Sequence, residues 1–217
     1  MARCIVVDLD RCTGCESCVV SCKFQNDLPL GEYWNDVREI GPLGVWPDVT
    51  RYWLPLQCQQ CADAPCVEVC PTGASYRAEN GVVLIDEGSC IGCKLCLSSC
   101  PYSDGEGTAR PSVRWFQKAT GTVHKCTLCN DRCAASDGVE TTDPFDPAHA
   151  VPACVHNCPA AALSYGDLDD PASAAAMAVA AAEAAGRQVL SLDREGVQTT
   201  ARYILTPGVA EWVGLND

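Results

Sequence analysis

Apolar positions in this chain come in short runs, and most of the runs end at a cysteine. Cys4-Ile5-Val6-Val7-Asp8 is apolar and β-branched, which predicts a short strand. Arg51-Tyr52-Trp53-Leu54-Pro55-Leu56 predicts another. Ala74-Ser75-Tyr76-Arg77 and Val82-Val83-Leu84-Ile85 flank Glu79-Asn80-Gly81, and Asn-Gly between two such runs predicts a hairpin. Val113-Arg114-Trp115-Phe116 and Thr122-Val123-His124-Lys125 predict a second hairpin across Thr120-Gly121. Residues 187–192 and 201–205 predict two closing strands. The cysteine-rich stretch from position 12 opens a helix expected to end near Asn26-Asp27, before Pro29. Residues 172–185 have near-maximal helix propensity, with Asp170 placed to cap, Pro171 at the first position and Gly186 as the stop. The plainer expectation there is a surface helix held by propensity, although its small side chains would also allow close approach. Residues 28–50 show no period and predict a loop, with Trp34 and Trp46 either packed inward or serving as docking anchors. The acidic, proline-containing residues 137–148 predict a surface loop.

The chain has 217 residues, room for one large or two small domains. Its net charge of −13, with no Lys/Arg run, argues against nucleic acid as a partner. No run is long and apolar enough for a membrane span. The first residues, Met1-Ala2-Arg3-Cys4, lack the apolar core of an export signal. A cytoplasmic location is therefore expected, unless the chain is exported together with a partner.

The 18 cysteines change the picture most. They fall in tight clumps, where close neighbours could not all find disulfide partners of good geometry. Residues 90–101 read Cys90-Ile91-Gly92-Cys93-Lys94-Leu95-Cys96-Leu97-Ser98-Ser99-Cys100-Pro101, the C-x2-C-x2-C-x3-C-P run of bacterial iron–sulfur ferredoxins. The motif recurs as an internal repeat. Cys12, Cys15, Cys18 and Cys22 have the same spacing without the proline. Cys58, Cys61, Cys66 and Cys70 have a wider second gap containing Pro65, then Pro71. Cys126 and Cys129 are completed by Cys154, Cys158 and Pro159 after a long gap. Four clumps of four account for 16 of the 18 cysteines and serve four 4Fe–4S clusters; Cys4 and Cys133 are left over.

In such runs the fourth cysteine serves the other cluster of a pair. The second and third clumps are neighbours, so they pair: one cluster takes Cys58, Cys61, Cys66 and Cys100, the other Cys90, Cys93, Cys96 and Cys70. The first and fourth clumps then pair around them, as Cys12, Cys15, Cys18 and Cys158, and as Cys126, Cys129, Cys154 and Cys22. The expected fold is α+β: two nested two-cluster ferredoxin-like units with hairpin insertions and a C-terminal helix-plus-strand extension. The outer unit spans residues 1–57 with 103–165, the inner unit 58–102, and the extension 166–217.

Zinc is the rival for the metal, since C-x2-C pairs also build zinc ribbons. Three thiols at x2, x2 crowd a tetrahedral zinc, and the recurring Cys-Pro favours cubanes. Cubanes need soft thiolate sulfur at each corner, in keeping with sixteen cysteines and no His or Asp in their place. Cys133 either displaces Cys126 or Cys129 or is a buried free thiol, which the intact C-x2-C favours. Cys4 reads as a small core residue. Lys23, Lys94 and Lys125 adjoin or lie within clumps; each either raises a cluster's potential or, more plainly, reaches solvent. His124, His149 and His156 are scattered, and no nucleophile–base pair stands out, so no catalytic residue is expected.

The order of these spacings, with Cys70-Pro71-Thr72-Gly73-Ala74, Cys100-Pro101-Tyr102 and Lys125-Cys126-Thr127-Leu128-Cys129-Asn130-Asp131-Arg132, resembles the iron–sulfur electron-transfer subunits of molybdopterin oxidoreductases. Dimethyl sulfoxide reductase, polysulfide and thiosulfate reductases and pyrogallol–phloroglucinol transhydroxylase have such subunits. The resemblance covers most of residues 3–165. It implies a large partner subunit holding a molybdenum or tungsten bis-pterin cofactor, with four clusters relaying single electrons between it and an outside donor or acceptor. It also implies that the Cys12-Cys15-Cys18-Cys158 cluster faces that partner. The outer end would meet a membrane-anchor subunit or a soluble donor. A free polyferredoxin is the alternative function, and a zinc-bound structural protein the third.

Overall fold

β1 (Arg3–Asp8) is buried almost throughout, and its alternation shows why. Cys4 and Val6 belong to a small cluster with Ala175, Ala182 and Ile204. Ile5 and Val7 belong to the main core, which also contains most of the cysteines. Side chains alternate across a strand, so a strand apolar at successive positions needs cover on both faces. The structure, a computed structural model, describes residues 3–103, 113–134, 151–194 and 196–213. The acidic segment 137–148, expected as a loop, lies outside the described residues.

After β1 come α1 (Ser17–Gln25), β2 (Asn35–Val45), β3 (Asp48–Gln57), α2 (Pro65–Glu68), β4 (Ser75–Arg77), β5 (Val83–Ile85) and α3 (Leu95–Ser98). They are followed by β6 (Arg114–Gln117), β7 (Thr122–Lys125), α4 (Asn130–Ala134), α5 (Ala153–His156), β8 (Leu163–Asp167), α6 (Ala174–Ala184), β9 (Gln188–Leu190) and β10 (Arg202–Leu205). The fold is mixed α and β with small sheets. One sheet has the order β8-β1-β10-β9, with β1 and β10 parallel and the outer pairs antiparallel. Residues beyond 166 thus complete the sheet that β1 begins. The other strands pair as β2-β3, β4-β5 and β6-β7. Among the described residues, no helix is long and apolar enough to cross a membrane.

Two expectations need correction. Residues 35–45, expected as loop, form β2 and pair with β3 from Asn35↔Gln57 to Val45↔Asp48. Only Asn35 of β2 is buried, and its apolar residues Val37, Ile40 and Leu43 are partly exposed, so it shows no clear apolar period. Pro42 falls within the register shift between Ile40 and Leu43, where a missing N–H interrupts no ladder bond. Trp34 is buried and stacks on His124 at 6.3 Å between centroids, whereas Trp46 is exposed between the two strands. The second correction concerns α6. Its N-cap is Ser173, whose Oγ accepts from Ala176 N at 3.1 Å, while Asp170 Oδ1 accepts from Ala172 N in the turn before. The helix also packs rather than floats: Ala175 is fully buried, and a Cβ on Gly166 of β8 would lie 2.7 Å from Ser173 Cβ. Small residues on both elements permit that approach.

Candidate metal centres

The third cysteine of each clump lies on a helix: Cys18 on α1, Cys66 on α2, Cys96 on α3 and Cys154 on α5. Three of these helices have four residues and stop before Cys70-Pro71, Cys100-Pro101 and Cys158-Pro159. Proline cannot continue a helix and pushes the preceding residue out of it. Each stop is followed by a backbone bond from Gly73, Ser103 or Ala161 back to the cysteine carbonyl. Lys23 follows Cys22 instead, and α1 runs on for nine residues. Asn26 then donates its side-chain amide to Cys22 O at 2.8 Å and to Cys22 Sγ at 3.6 Å.

The first C-x2-C turn of each clump places its second intervening residue at positive φ: Gly14 at 68°, Gln60 at 51°, Gly92 at 66° and Leu128 at 53°. Such turns expose successive backbone N–H groups to one side, a concavity that favours anions and is common at iron–sulfur sites. Thiol sulfurs accept from the backbone as well. Ser75 N donates to Cys70 Sγ at 3.3 Å, Ala162 N to Cys158 Sγ at 3.3 Å and Leu128 N to Cys126 Sγ at 3.4 Å.

These elements bring cysteines of different clumps together around cavities of nearly one size. One, about 330 Å³, is lined by Cys58, Cys61, Cys66 and Cys100, with Val83, Tyr102 and Arg114. A second, also about 330 Å³, is lined by Cys70, Cys90, Cys93 and Cys96. A third, about 310 Å³, is lined by Cys22, Cys126, Cys129 and Cys154, with Trp34, Asn35 and Gln57. Cys12, Cys15, Cys18 and Cys158 form the remaining group: charge on Cys158 and Cys15 acts on Cys12, and charge on Cys12 and Cys158 acts on Cys18. The packing of α1 on α5 and of α2 on α3 holds these arrangements.

Burial, and then the crowding of like charges, pushes most of these thiols up: Cys61 and Cys126 to about 12, and Cys18 to about 11. Burial likewise pushes Cys100 to about 11, against hydrogen bonds from Ser103 and Tyr102 that lower it. Four thiolates cannot share such a cavity without a compensating cation. A cationic iron–sulfide core fits that need. The donor set is all sulfur, and among the described residues no group of three or more His, Cys, Asp or Glu is set to hold a single metal ion. Trp34 Nε1 and Gln57 Nε2, both on the third cavity, are buried donors with no acceptor among the described residues. Inorganic sulfide is an acceptor they could use.

Cys133 is buried outside the cavity linings, its Sγ donating to Leu128 O at 3.4 Å, and burial pushes it to about 11. Cys4 is fully buried beneath α6, and burial pushes it to about 12. Lys23 donates to Pro29 O and Glu32 O, and Lys94 lies over the Phe116 ring at 4.1 Å. Lys125, by contrast, is 1% exposed and does not reach solvent. Arg114, also 1% exposed, escaped the sequence reading, because no motif flags an arginine twelve residues ahead of the next clump. Gln57 carried no signal beyond its proximity to a predicted strand, and for Trp34 the sequence offers only inward packing or a docking anchor.

Residues 49–168 match the 4Fe-4S dicluster domain family. A Halobacterium salinarum protein, provisionally named as a dimethyl sulfoxide reductase iron–sulfur subunit, is 34% identical over 94% of this chain and 80% of its own length. The thiosulfate reductase electron transfer subunit of Salmonella typhi is 40% identical over 75% of this chain and 74% of its own length. A sulfite dehydrogenase subunit of Allochromatium vinosum is 37% identical over 81% and 72%, respectively.

Proposed function

The chain belongs to the 4Fe-4S dicluster domain family, and from that premise we propose that it is the electron-transfer subunit of a molybdopterin oxidoreductase, with four 4Fe–4S clusters. Bound clusters would supply one-electron carriers, held by these cysteines. The ligand sets are Cys12, Cys15, Cys18 and Cys158; Cys58, Cys61, Cys66 and Cys100; Cys70, Cys90, Cys93 and Cys96; and Cys22, Cys126, Cys129 and Cys154. Two nested ferredoxin-like units follow from those sets. The observation that carries the proposal is the set of three cavities, each lined by four cysteines from two different clumps.

The chain's own residues hold the thiols in place, donate backbone N–H groups to their sulfurs and exclude water with Val83, Tyr102 and Leu128. The partner is a large subunit carrying a molybdenum or tungsten bis-pterin cofactor, and substrate chemistry takes place there. The relatives above are described as subunits, which favours this over a free polyferredoxin.

Iron analysis of anaerobically purified protein should find roughly sixteen iron atoms per chain. Values near four or eight refute the four-cluster assignment. Cys22→Ser should remove the paramagnetic resonance signal that Cys126→Ser also removes and spare the one lost in Cys15→Ser; the opposite pattern refutes the exchange of fourth ligands. Purification without a large molybdenum- or tungsten-containing partner would count against the subunit assignment.

A further inference from the structure

Arg114 and Lys125 are cross-strand partners on β6 and β7, and both are 1% exposed. Like charges directly opposite on a hairpin repel, and burying either one is costly. Two such residues side by side need a strong negative field. Arg114 lines the cavity of Cys58, Cys61, Cys66 and Cys100, with Nη2 donating to Ser75 Oγ at 2.8 Å. The Lys125 ammonium donates to Val83 O, on the wall of the same cavity, and to Cys126 O at 2.8 Å. Cys66 is where the two meet, since the charges of both Arg114 and Lys125 act on it. Arg114 in turn lies in the field of Cys66, Cys96, Cys58 and Cys100.

We infer that Arg114 and Lys125 are potential-setting residues, which make the cluster at Cys58, Cys61, Cys66 and Cys100 the first of the four to accept an electron. The inference rests on the ligand sets proposed above. Four thiolates around a 2+ cubane leave a charge of about −2, which one added electron takes to about −3; no bond forms or breaks. A fixed cation in a dry cavity stabilises the more negative state and so raises the potential. Arginine keeps its charge in any such setting. The other sites differ: Cys15 and Cys93 are exposed, so water screens their surroundings, and the third cavity has Lys125 beside Cys126 and only the half-exposed Arg132 beside Cys129.

The test is redox titration of the whole complex followed by electron paramagnetic resonance, with iron counted in every sample. Cys61→Ser identifies the relevant signal, which should be the highest-potential one of the unmodified protein. Arg114→Gln should lower the reduced-to-oxidised ratio of that signal at least tenfold at fixed potential, about 59 mV for a one-electron couple. Lys125→Gln should move the same signal in the same direction by less, and Arg114→Lys should leave it nearly in place. The inference is overturned if Cys61→Ser removes a lower-potential signal, or if Arg114→Gln shifts no signal or all of them equally. Should Arg114→Gln lose iron, Lys125→Gln decides alone, and an unmoved midpoint overturns the proposal. Iron well below sixteen atoms in the unmodified protein fails the four-cluster assignment instead, and the Arg114 shift is then read on whichever signal Cys61→Ser removes.

Discussion

Residues 12–22 and 90–100 share a cysteine spacing and a local backbone. Gly14 and Gly92 hold φ values of 68° and 66°, and Glu16 and Lys94 hold 58° and 63°. Each stretch then opens a helix with its third cysteine on it. They part at the residue after the fourth cysteine. Pro101 follows Cys100, and α3 has four residues; Lys23 follows Cys22, and α1 has nine. They are covered differently too. The Gly14 turn lies under the Trp53 side chain, and the Gly92 turn under the Gly121 carbonyl of the β6–β7 hairpin. The motif therefore sets the turn and the positions of the thiols, while the flanking residue and the covering element set the surroundings. That difference in surroundings can be broken at three places.

The largest effect is expected at the helix stop. Lys23→Pro places a proline in the interior of α1, removing the bond to Val19 and crowding its carbonyl, at a cost of about 3 kcal/mol. It also withdraws Asn26 from Cys22, where the amide now donates to both the carbonyl and the sulfur. Thermal unfolding should show the loss, with a fall in iron content. Pro101→Lys asks the reverse question of α3 and should cost less, since the Ser103 N to Cys100 O bond does not involve the nitrogen of residue 101. Equal losses in the two variants would mean that the proline does not set the helix lengths.

The next effect separates the covers. Alanine at either glycine incurs a left-handed backbone cost of roughly 1–2 kcal/mol. At Gly92 the new Cβ would lie 2.2 Å from the Gly121 carbonyl oxygen, a backbone atom fixed by the hairpin. At Gly14 it would lie 2.3 Å from Trp53 Nε1, a side-chain atom that can swing aside. Gly92→Ala should therefore lose about 1–2 kcal/mol more than Gly14→Ala in chemical denaturation. A larger loss at Gly14 would make Trp53 the more rigid cover.

The sequence revealed the turns and clumps because their determinants are local: cysteine spacing, glycine at a left-handed position, proline after the last thiol. β1 and α6 were legible for the same reason, through β-branched and alanine-rich runs. β2 was not, because a partly exposed strand needs no apolar period and Pro42 sits where pairing is already broken. The packing of α6 was hidden for want of large side chains, since Ala175 buries itself against Cys4 and Val6 only once the sheet exists. Lys125 stood out in sequence beside Cys126, but its burial and the place of Arg114 were hidden by the same kind of dependence. Their burial follows from hairpin register and from the thiols across the cavity, which no neighbour in sequence reports.

The smallest effect concerns two lysines that stand over aromatic rings, Lys23 over Tyr33 at 4.4 Å and Lys94 over Phe116 at 4.1 Å. Lys23 also ties the 28–34 segment to α1 by donating to Pro29 O at 2.7 Å and Glu32 O at 2.8 Å. Charged hydrogen bonds of this kind make Lys23→Ala cost about 2 kcal/mol. Lys94 is half-buried, and its ring contact contributes roughly 0.5–1 kcal/mol. Alanine at 94 keeps the same left-handed backbone cost as lysine, so Lys94→Ala reports the loss of the lysine's own contacts rather than relief of strain. The two variants should then differ by about 1 kcal/mol in denaturant midpoint analysis, with Lys23→Ala the weaker protein. Lys23→Ala also isolates the side-chain share of the Lys23→Pro loss. If alanine costs as much as proline at position 23, the tether to residues 29 and 32, and not the continuity of α1, distinguishes residues 12–22 from residues 90–100.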